Sequence, residues 1–102
     1  MGDRLVLHEI FCEILGSRNA YFNPPESLRL KYPCIVYSKG APSVRRAGDE
    51  IYKFKDRYEV VVIDDDPDST IADTMLYSIK YCQIDSRYTA DNLNHTKLTI
   101  YY

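Results

Sequence analysis

The acidic run that begins at residue 64 is the part of the sequence most suited to metal chemistry. Asp64, Asp66 and Asp68 stand at every second position, which is the spacing of the first three ligands in a calcium-binding loop. The rest of that pattern fails, because Ser69 stands where the loop requires glycine and Met75 where it requires the closing glutamate. Acidic side chains before a helix stabilise its amino terminus by capping and through the helix dipole. The run therefore predicts a helix start, and a small metal-dependent nuclease using these aspartates stays as an alternative.

Histidine and cysteine are the next candidates for a metal site or a nucleophile. His8 and Cys12 lie four residues apart, which is half of a helical zinc site, but no second pair has matching spacing. With Cys34 and Cys82 the cysteines number three and are widely spaced, which predicts buried thiols in a reducing cytoplasm rather than disulfides. No serine or cysteine stands in a nucleophile-elbow context, and the four glycines form no phosphate-binding loop. We therefore expect no catalytic residue, no metal and no cofactor.

Charge is distributed unevenly along the chain. The segment 39–57 carries six basic residues against three acids, whereas the segment 59–73 carries six acids and no base. The net charge of −2 argues against general attraction to nucleic acid or to an anionic membrane. Segments of opposite charge suit head-to-tail association between copies, and two solvated faces without a partner are the alternative. The candidate interface residues are Lys39, Arg45, Arg46, Lys53, Asp64, Asp65, Asp66 and Asp68, with the aromatic pair Tyr21 and Phe22.

The elements that position these charges are predicted from hydrophobic periodicity. Residues 3–15 carry an apolar stripe at helical spacing, and Gly16 ends the helix. Residues 69–80 carry a second stripe, with Asp68 or Ser69 as the N-cap. Each helix thus has one apolar face to bury against a sheet.

The strands are predicted as two hairpins. Residues 33–63 form the first, with the basic loop 39–49 at its tip. Residues 83–90 and 96–102 form the second, with 91–95 as the turn. In the irregular stretch before the first hairpin, Tyr21 and Phe22 fit a short strand that two prolines end.

The order helix, hairpin, helix, hairpin predicts one α+β domain spanning residues 1–102. Its sheet is mostly antiparallel and made of two hairpins, and two helices pack on one face. No apolar run approaches the roughly 20 residues of a membrane span, and the first residues lack the order of a signal peptide. Ten tyrosines without a tryptophan indicate either a protein–protein interface or a tyrosine-rich sheet.

Three stretches carry a resemblance to a known family. The first runs from Tyr21 to Ser27 and continues over residues 31–37. The second covers residues 57–64 and 66–69, and the third covers residues 88–95 and the terminal tyrosine pair. Together they resemble the tail terminator, or tail completion, proteins of siphophages and prophages of Gram-positive bacteria.

That resemblance implies a structural protein of the virion, assembled in the host cytoplasm. Such proteins form a ring, expected to be a hexamer, on the last ring of the major tail tube protein. They stop tube growth and join the tail to the head–tail connector, and genomic DNA passes through the lumen without sequence-specific binding. The resemblance implies no enzyme activity and no membrane partner. A connector or stopper protein at the next ring of the phage neck is the alternative within the same assembly.

Overall fold

The computed structural model describes residues 4–40 and 56–102. Their fold is α+β, with two helices and five strands. The candidate interface residues Arg45, Arg46 and Lys53 lie outside the described residues, as does most of the predicted basic loop. In chain order the elements are α1 (Arg4–Leu15), β1 (Ala20–Phe22), β2 (Cys34–Lys39), β3 (Arg57–Asp64), α2 (Ile71–Ser78), β4 (Cys82–Ala90) and β5 (Leu93–Tyr101). No helix in these ranges is long and apolar enough to cross a membrane.

All five strands join one mixed sheet in the order β1-β2-β3-β5-β4. The two predicted hairpins are present as the antiparallel pairs β2–β3 and β4–β5. The prediction that they make up the whole sheet is wrong, because β1 adds a fifth strand, parallel to β2. β3 also pairs with β5, which merges the hairpins into one continuous sheet.

The core lies between one face of this sheet and the two helices. Ile35, Val62 and Val60 come to the same face as Leu98 through the strand register, and all four are buried. α1 and α2 contribute buried side chains to the same apolar cluster, so the predicted one-sided packing of the helices is confirmed. Tyr37 lies at its centre. The residues of the helices that are buried there are Leu7, Phe11, Cys12, Ala72 and Met75.

The helix ends follow local backbone chemistry. Gly16 ends α1 as predicted, since it adopts a φ of 71° and its amide donates to the Cys12 carbonyl at 2.9 Å. The predicted N-cap of α2 is wrong. Thr70 occupies the N-cap without a side-chain capping bond, and the Ser69 hydroxyl only accepts from the Ile71 amide at 3.4 Å. The helix is therefore shorter than predicted and begins at Ile71.

The second hairpin is tighter than the sequence suggests. Asp91 and Asn92 alone form its turn, with φ angles of 53° and 62°, the left-handed geometry that suits a two-residue hairpin loop. The predicted turn 91–95 is too long, because Leu93 already pairs with Ala90. A β-bulge at Asp85 shifts the register along β4.

Candidate functional site

An open groove of about 460 Å³ lies where β3 ends, between the start of α2 and the tip of the β4–β5 hairpin. We call it the acidic groove. Its acidic side chains are Asp64, Asp66, Asp68 and Asp73, and its other walls come from residues 87–89 and 94–96 of the hairpin. Asp65 does not line the groove, although it belongs to the same run. The loop after β3 and the start of α2 thus carry five acids, and four of them line the acidic groove.

The loop before α2 is shaped by its own carboxylates. The Asp66 amide donates to Oδ1 of Asp64 at 2.9 Å, and the Asp68 amide donates to Oδ1 of Asp66 at 2.9 Å. Such side-chain-to-backbone bonds are the usual way in which aspartate stabilises turns. The sequence prediction gave these acids a helix-capping role. In the structure they hold a turn, and Asp73 is the acid in the first turn of α2.

The electrostatic character of the groove follows from these side chains. Arg87 from β4 is the one lysine or arginine in its lining, and it forms an ion pair with Asp73 at 3.7 Å. Both partners of that pair are largely solvated, so the pair contributes little stability. Asp66 and Asp68 lie exposed at the rim of the groove without an ion pair to any described residue. The groove is therefore a site of negative potential.

Asp64 is the most enclosed of these carboxylates. Its residue exposure is 6%, and its Oδ1 accepts the Asp66 amide. Its second carboxylate oxygen has no hydrogen-bond or ion-pair partner among the described residues, but it is not one of the fully buried unpaired oxygens there, so solvent reaches it. Burial disfavours a charge unless hydrogen bonds or a counter-charge compensate it. The charge of Asp64 also acts on Cys34. Burial is the larger cause and the Asp64 charge the smaller one, and together they raise the pKa of the Cys34 thiol to about 11.

The hairpin wall of the groove contains the third stretch of the family resemblance. Tyr88 and His95 face each other across β4 and β5, and their rings stack with centroids 4.7 Å apart at 12°. The His95 Nδ1 atom lies 3.2 Å from the Leu93 carbonyl, which holds the ring in place. This stacked pair stiffens the hairpin tip beside the groove.

Two basic residues, Lys39 and Arg57, lie at the opposite end of β3 from the groove. Lys39 ends β2 and Arg57 begins β3, and the Gly40 amide donates to the Arg57 carbonyl at 2.8 Å. Lys39 pairs with Asp56 at 3.4 Å, and Arg57 lies 4.0 Å from Glu59. Arg57 and Asp64 are seven steps apart along the strand, which is about 23 Å. The structure therefore places Lys39, the one basic candidate among the described residues, away from the acidic candidates.

The aromatic candidates of β1 have different environments. Phe22 packs against Tyr37 with ring centroids 5.1 Å apart, and the Arg4 guanidinium lies 4.3 Å from its ring centre. Phe22 is thus engaged within the chain. Tyr21, the neighbour on the strand, points to the other sheet face and is half-buried.

The remaining candidates for metal or nucleophilic chemistry are histidine and cysteine side chains. No group of three or more histidine, cysteine, aspartate or glutamate side chains in the described part of the chain could hold a metal ion. His8 Nδ1 lies 2.5 Å from the Tyr37 hydroxyl, and Cys12 is buried in the core. Cys82 resembles Cys34, because burial and then Asp85 raise its thiol pKa to about 11. Thiols with such pKa values are poor nucleophiles at neutral pH.

Sequence reasoning missed the residues that close the groove from the hairpin side. Arg87, Tyr88 and His95 line it together with Asp73, yet none of them was among the candidates. Their placement depends on β4 and β5 lying beside the start of α2, a contact between distant parts of the chain. The only available signal was their proximity to the polar turn.

Comparison with known proteins gives no match. No protein-family model, no curated protein and no solved structure is similar enough to this chain to indicate a relative. The function is therefore argued from the groove, the charge distribution and the sequence motifs.

Proposed function

We propose that this chain is a tail terminator of a siphophage or prophage, a structural protein that forms a ring on the end of the tail tube. The ring ends polymerisation of the major tail tube protein and joins the tail to the head connector. Genomic DNA passes through the lumen without sequence-specific contacts. The mature protein then belongs to the neck of the virion.

The observation that supports the proposal is that the acidic groove lies at one end of β3, whereas Lys39 and Arg57, each beside one acid, lie at the other end. A ring is built from heterologous contacts, in which one surface of a subunit meets a different surface of the next. The acidic groove at Asp64 and the basic end at Lys39 and Arg57 are two such surfaces. The three sequence stretches that resemble tail terminators support the same assembly.

Exposed tyrosines give further support. Among the nine tyrosines of the described ranges, Tyr37 and Tyr58 are buried in the core, whereas Tyr32, Tyr77 and Tyr88 are exposed. Tyrosine is enriched at protein–protein interfaces because its ring buries apolar area while its hydroxyl stays hydrogen-bonded. Three exposed tyrosines in a chain of this size are typical of a protein that packs against other subunits.

The test is to mix the purified chain with tail tube protein from the same genome and to image the product by negative-stain electron microscopy. We expect rings at one end of each tube and a length that stops increasing. The double variant Arg45→Glu, Arg46→Glu should cap fewer tubes, whereas Asp65→Lys, outside the groove, should cap as many as the unaltered chain. Uncapped tubes of unlimited length would contradict the proposal.

The same experiment separates the alternatives. A connector or stopper protein would bind the portal-side proteins and leave the tube end free. A metal-dependent nuclease using Asp64, Asp66 and Asp68 would show a thermal shift with calcium or manganese and would cut DNA. Neither alternative is favoured by a specific contact in the described ranges.

A further inference from the structure

We infer that Asp85 sets the register of the β4–β5 hairpin and so decides which side chains form the hairpin wall of the acidic groove. Ile84 pairs with Leu98, and Ser86 pairs with the neighbouring Lys97. Asp85 has no partner in β5 and is the extra residue of the bulge. One extra residue exchanges the two faces of the strand for everything that follows it. The hairpin has this property whatever the function of the chain.

The bulge places Arg87 on the sheet face that carries the helices. Arg87 pairs with Thr96, and Thr96 pairs in turn with Val62, which is buried in the core. From this face the Arg87 guanidinium forms its ion pair with Asp73 of α2 at 3.7 Å. The ion pair therefore depends on the phase that β4 has beyond the bulge. We call this observed pairing the bulged register.

A hairpin without the bulge, which we call the straight register, would present the opposite faces. Regular alternation from Ile84 onward would set Ser86 opposite Thr96. Arg87 would then point away from the helices, and the groove would lose the one lysine or arginine of its lining. Residues 90–92 would form the loop, which is a common length for a β-hairpin. Both registers thus close a hairpin, and a local interaction must select one of them.

The Asp85 carboxylate supplies that interaction through two side-chain hydrogen bonds. The Thr99 hydroxyl donates to Oδ2 at 2.5 Å, and the Gln83 side-chain amide donates to Oδ1 at 2.8 Å. Gln83 and Thr99 face each other before the bulge, so both bonds tie Asp85 to the regular half of the hairpin. Thr99 is 6% exposed, and a buried hydroxyl requires a hydrogen-bond partner. Asp85 is therefore a positioning residue for the hairpin wall.

The straight register gives the carboxylate a weaker partner. Asp85 would lie opposite Lys97, which is exposed, and exposed ion pairs contribute little to stability. Lys97 already acts on Asp85 in the bulged register, because the Thr99 bond is the largest cause of the lowered pKa of that carboxyl and the Lys97 charge a smaller one. A straight strand would exchange the Thr99 bond for an attraction that the hairpin already has.

Amide hydrogen exchange measured by NMR distinguishes the two registers. Every second amide of β4 bonds to β5, so in the bulged register the Tyr88 amide is bonded and the Arg87 amide faces outward. The protection factor of the Tyr88 amide should therefore exceed that of Arg87 at least about tenfold. Asp85→Thr removes the carboxylate and keeps a good strand former, and in this variant we expect the order of the two amides to reverse. An unchanged order in a folded Asp85→Thr variant would overturn the inference.

Deletion of Asp85 is the matched control, because it removes the same carboxylate together with the extra residue. Ser86 then follows Ile84 directly, and alternation alone turns Arg87 towards the helices. The deletion should keep the order of protection found in the unaltered chain. A reversed order in the deletion variant would equally overturn the inference, since loss of the carboxylate would then act without the register.

Paired cysteines give a second measurement. Arg87→Cys with Thr96→Cys sets two thiols opposite each other in the bulged register, whereas Ser86→Cys with Thr96→Cys does so in the straight register. After oxidation in a glutathione buffer, peptide mass spectrometry should find at least about tenfold more disulfide in the first pair. Adding Thr99→Val, which removes the donor to Asp85, should lower this ratio at least about fivefold. A smaller fall, in variants that circular dichroism shows to be folded, would refute the role of the Asp85 carboxylate.

Discussion

The hydrogen bond between Tyr37 and His8 joins α1 to the sheet, and removing it is a direct test of the core described above. Tyr37 is 1% exposed, and its ring contacts Phe11 and Phe22 as well as His8. Its hydroxyl lies 2.5 Å from His8 Nδ1. The substitution Tyr37→Phe keeps the ring and its packing and deletes only the hydroxyl.

The expected cost follows from the environment of the two partners. A neutral hydrogen bond contributes about 0.5–1.5 kcal/mol net, and an orphaned buried partner raises the cost to about 1–3 kcal/mol. His8 is half-buried, so water reaches part of its ring once the hydroxyl is gone. We therefore expect a loss of about 1–1.5 kcal/mol in the free energy of unfolding, or about 4–8 °C in Tm for a chain of this size.

Urea unfolding followed by far-ultraviolet circular dichroism measures this loss, and Tyr77→Phe is the matched control. Tyr77 is 91% exposed, so the same deletion there should change stability by less than about 0.5 kcal/mol. A double-mutant cycle with His8→Ala should show that the two positions are coupled. Equal effects of Tyr37→Phe and Tyr77→Phe, or additive effects of Tyr37→Phe and His8→Ala, would refute the assignment of this bond.

Two titratable groups give further predictions. Burial and then Arg4 lower the pKa of His8 below its ordinary 6.5, so the folded chain resists protonation and stability falls as pH drops through 6.5. Between about pH 7.5 and 5.5 the Tm should therefore fall more steeply for the unaltered chain than for His8→Gln, and parallel slopes would contradict this. The Thr99 hydroxyl donates to Asp85 at 2.5 Å and lowers the pKa of that carboxyl below its ordinary 3.8. The ionised Asp85 carboxylate therefore stabilises the folded chain above pH 3.8, and this stabilisation is lost as pH falls through the lowered pKa of Asp85 in the folded chain. At neutral pH, Thr99→Val should therefore unfold at a lower urea concentration than the unaltered chain, and the difference between the two midpoints should narrow at about pH 3. A difference between the midpoints that does not change with pH would count against this bond.

Local sequence patterns predicted most of the elements. Apolar spacing located α1 and α2, and Gly16 marked the end of the first helix because only a left-handed backbone closes it there. Alternation and β-branched residues located the strands of both hairpins. These features depend on residues within about one turn or one strand of each other, which is the range over which sequence patterns act.

What the sequence did not reveal depends on contacts between distant segments. β1 has only three residues, and its parallel partner begins after a connection of eleven, so no local alternation identifies the pair. The two-residue turn at Asp91 was missed because the polar residues that follow it continue into β5 instead of extending the loop. The acidic groove needs the loop after β3, the start of α2 and the second hairpin to meet, and only the sheet order brings them together.

The bulge at Asp85 limits how another strand can pair with this edge of the sheet. β4 is an edge strand of nine residues, and no described strand pairs with its outer side. Tyr101 donates to the Tyr81 carbonyl, so the alternation along β4 turns the backbone groups of Cys82 and Ile84 outward before the bulge.

Beyond the bulge the alternation changes phase, and the outward backbone groups belong to Arg87 and Thr89. A straight incoming strand offers hydrogen-bonding groups at every second residue and cannot match both halves of this edge. The bulge therefore interrupts continuous backbone pairing along this edge, which is one of the ways in which edge strands resist edge-to-edge growth. A partner that meets this edge therefore finds side chains, whose charges can be tuned, rather than a continuous row of backbone groups.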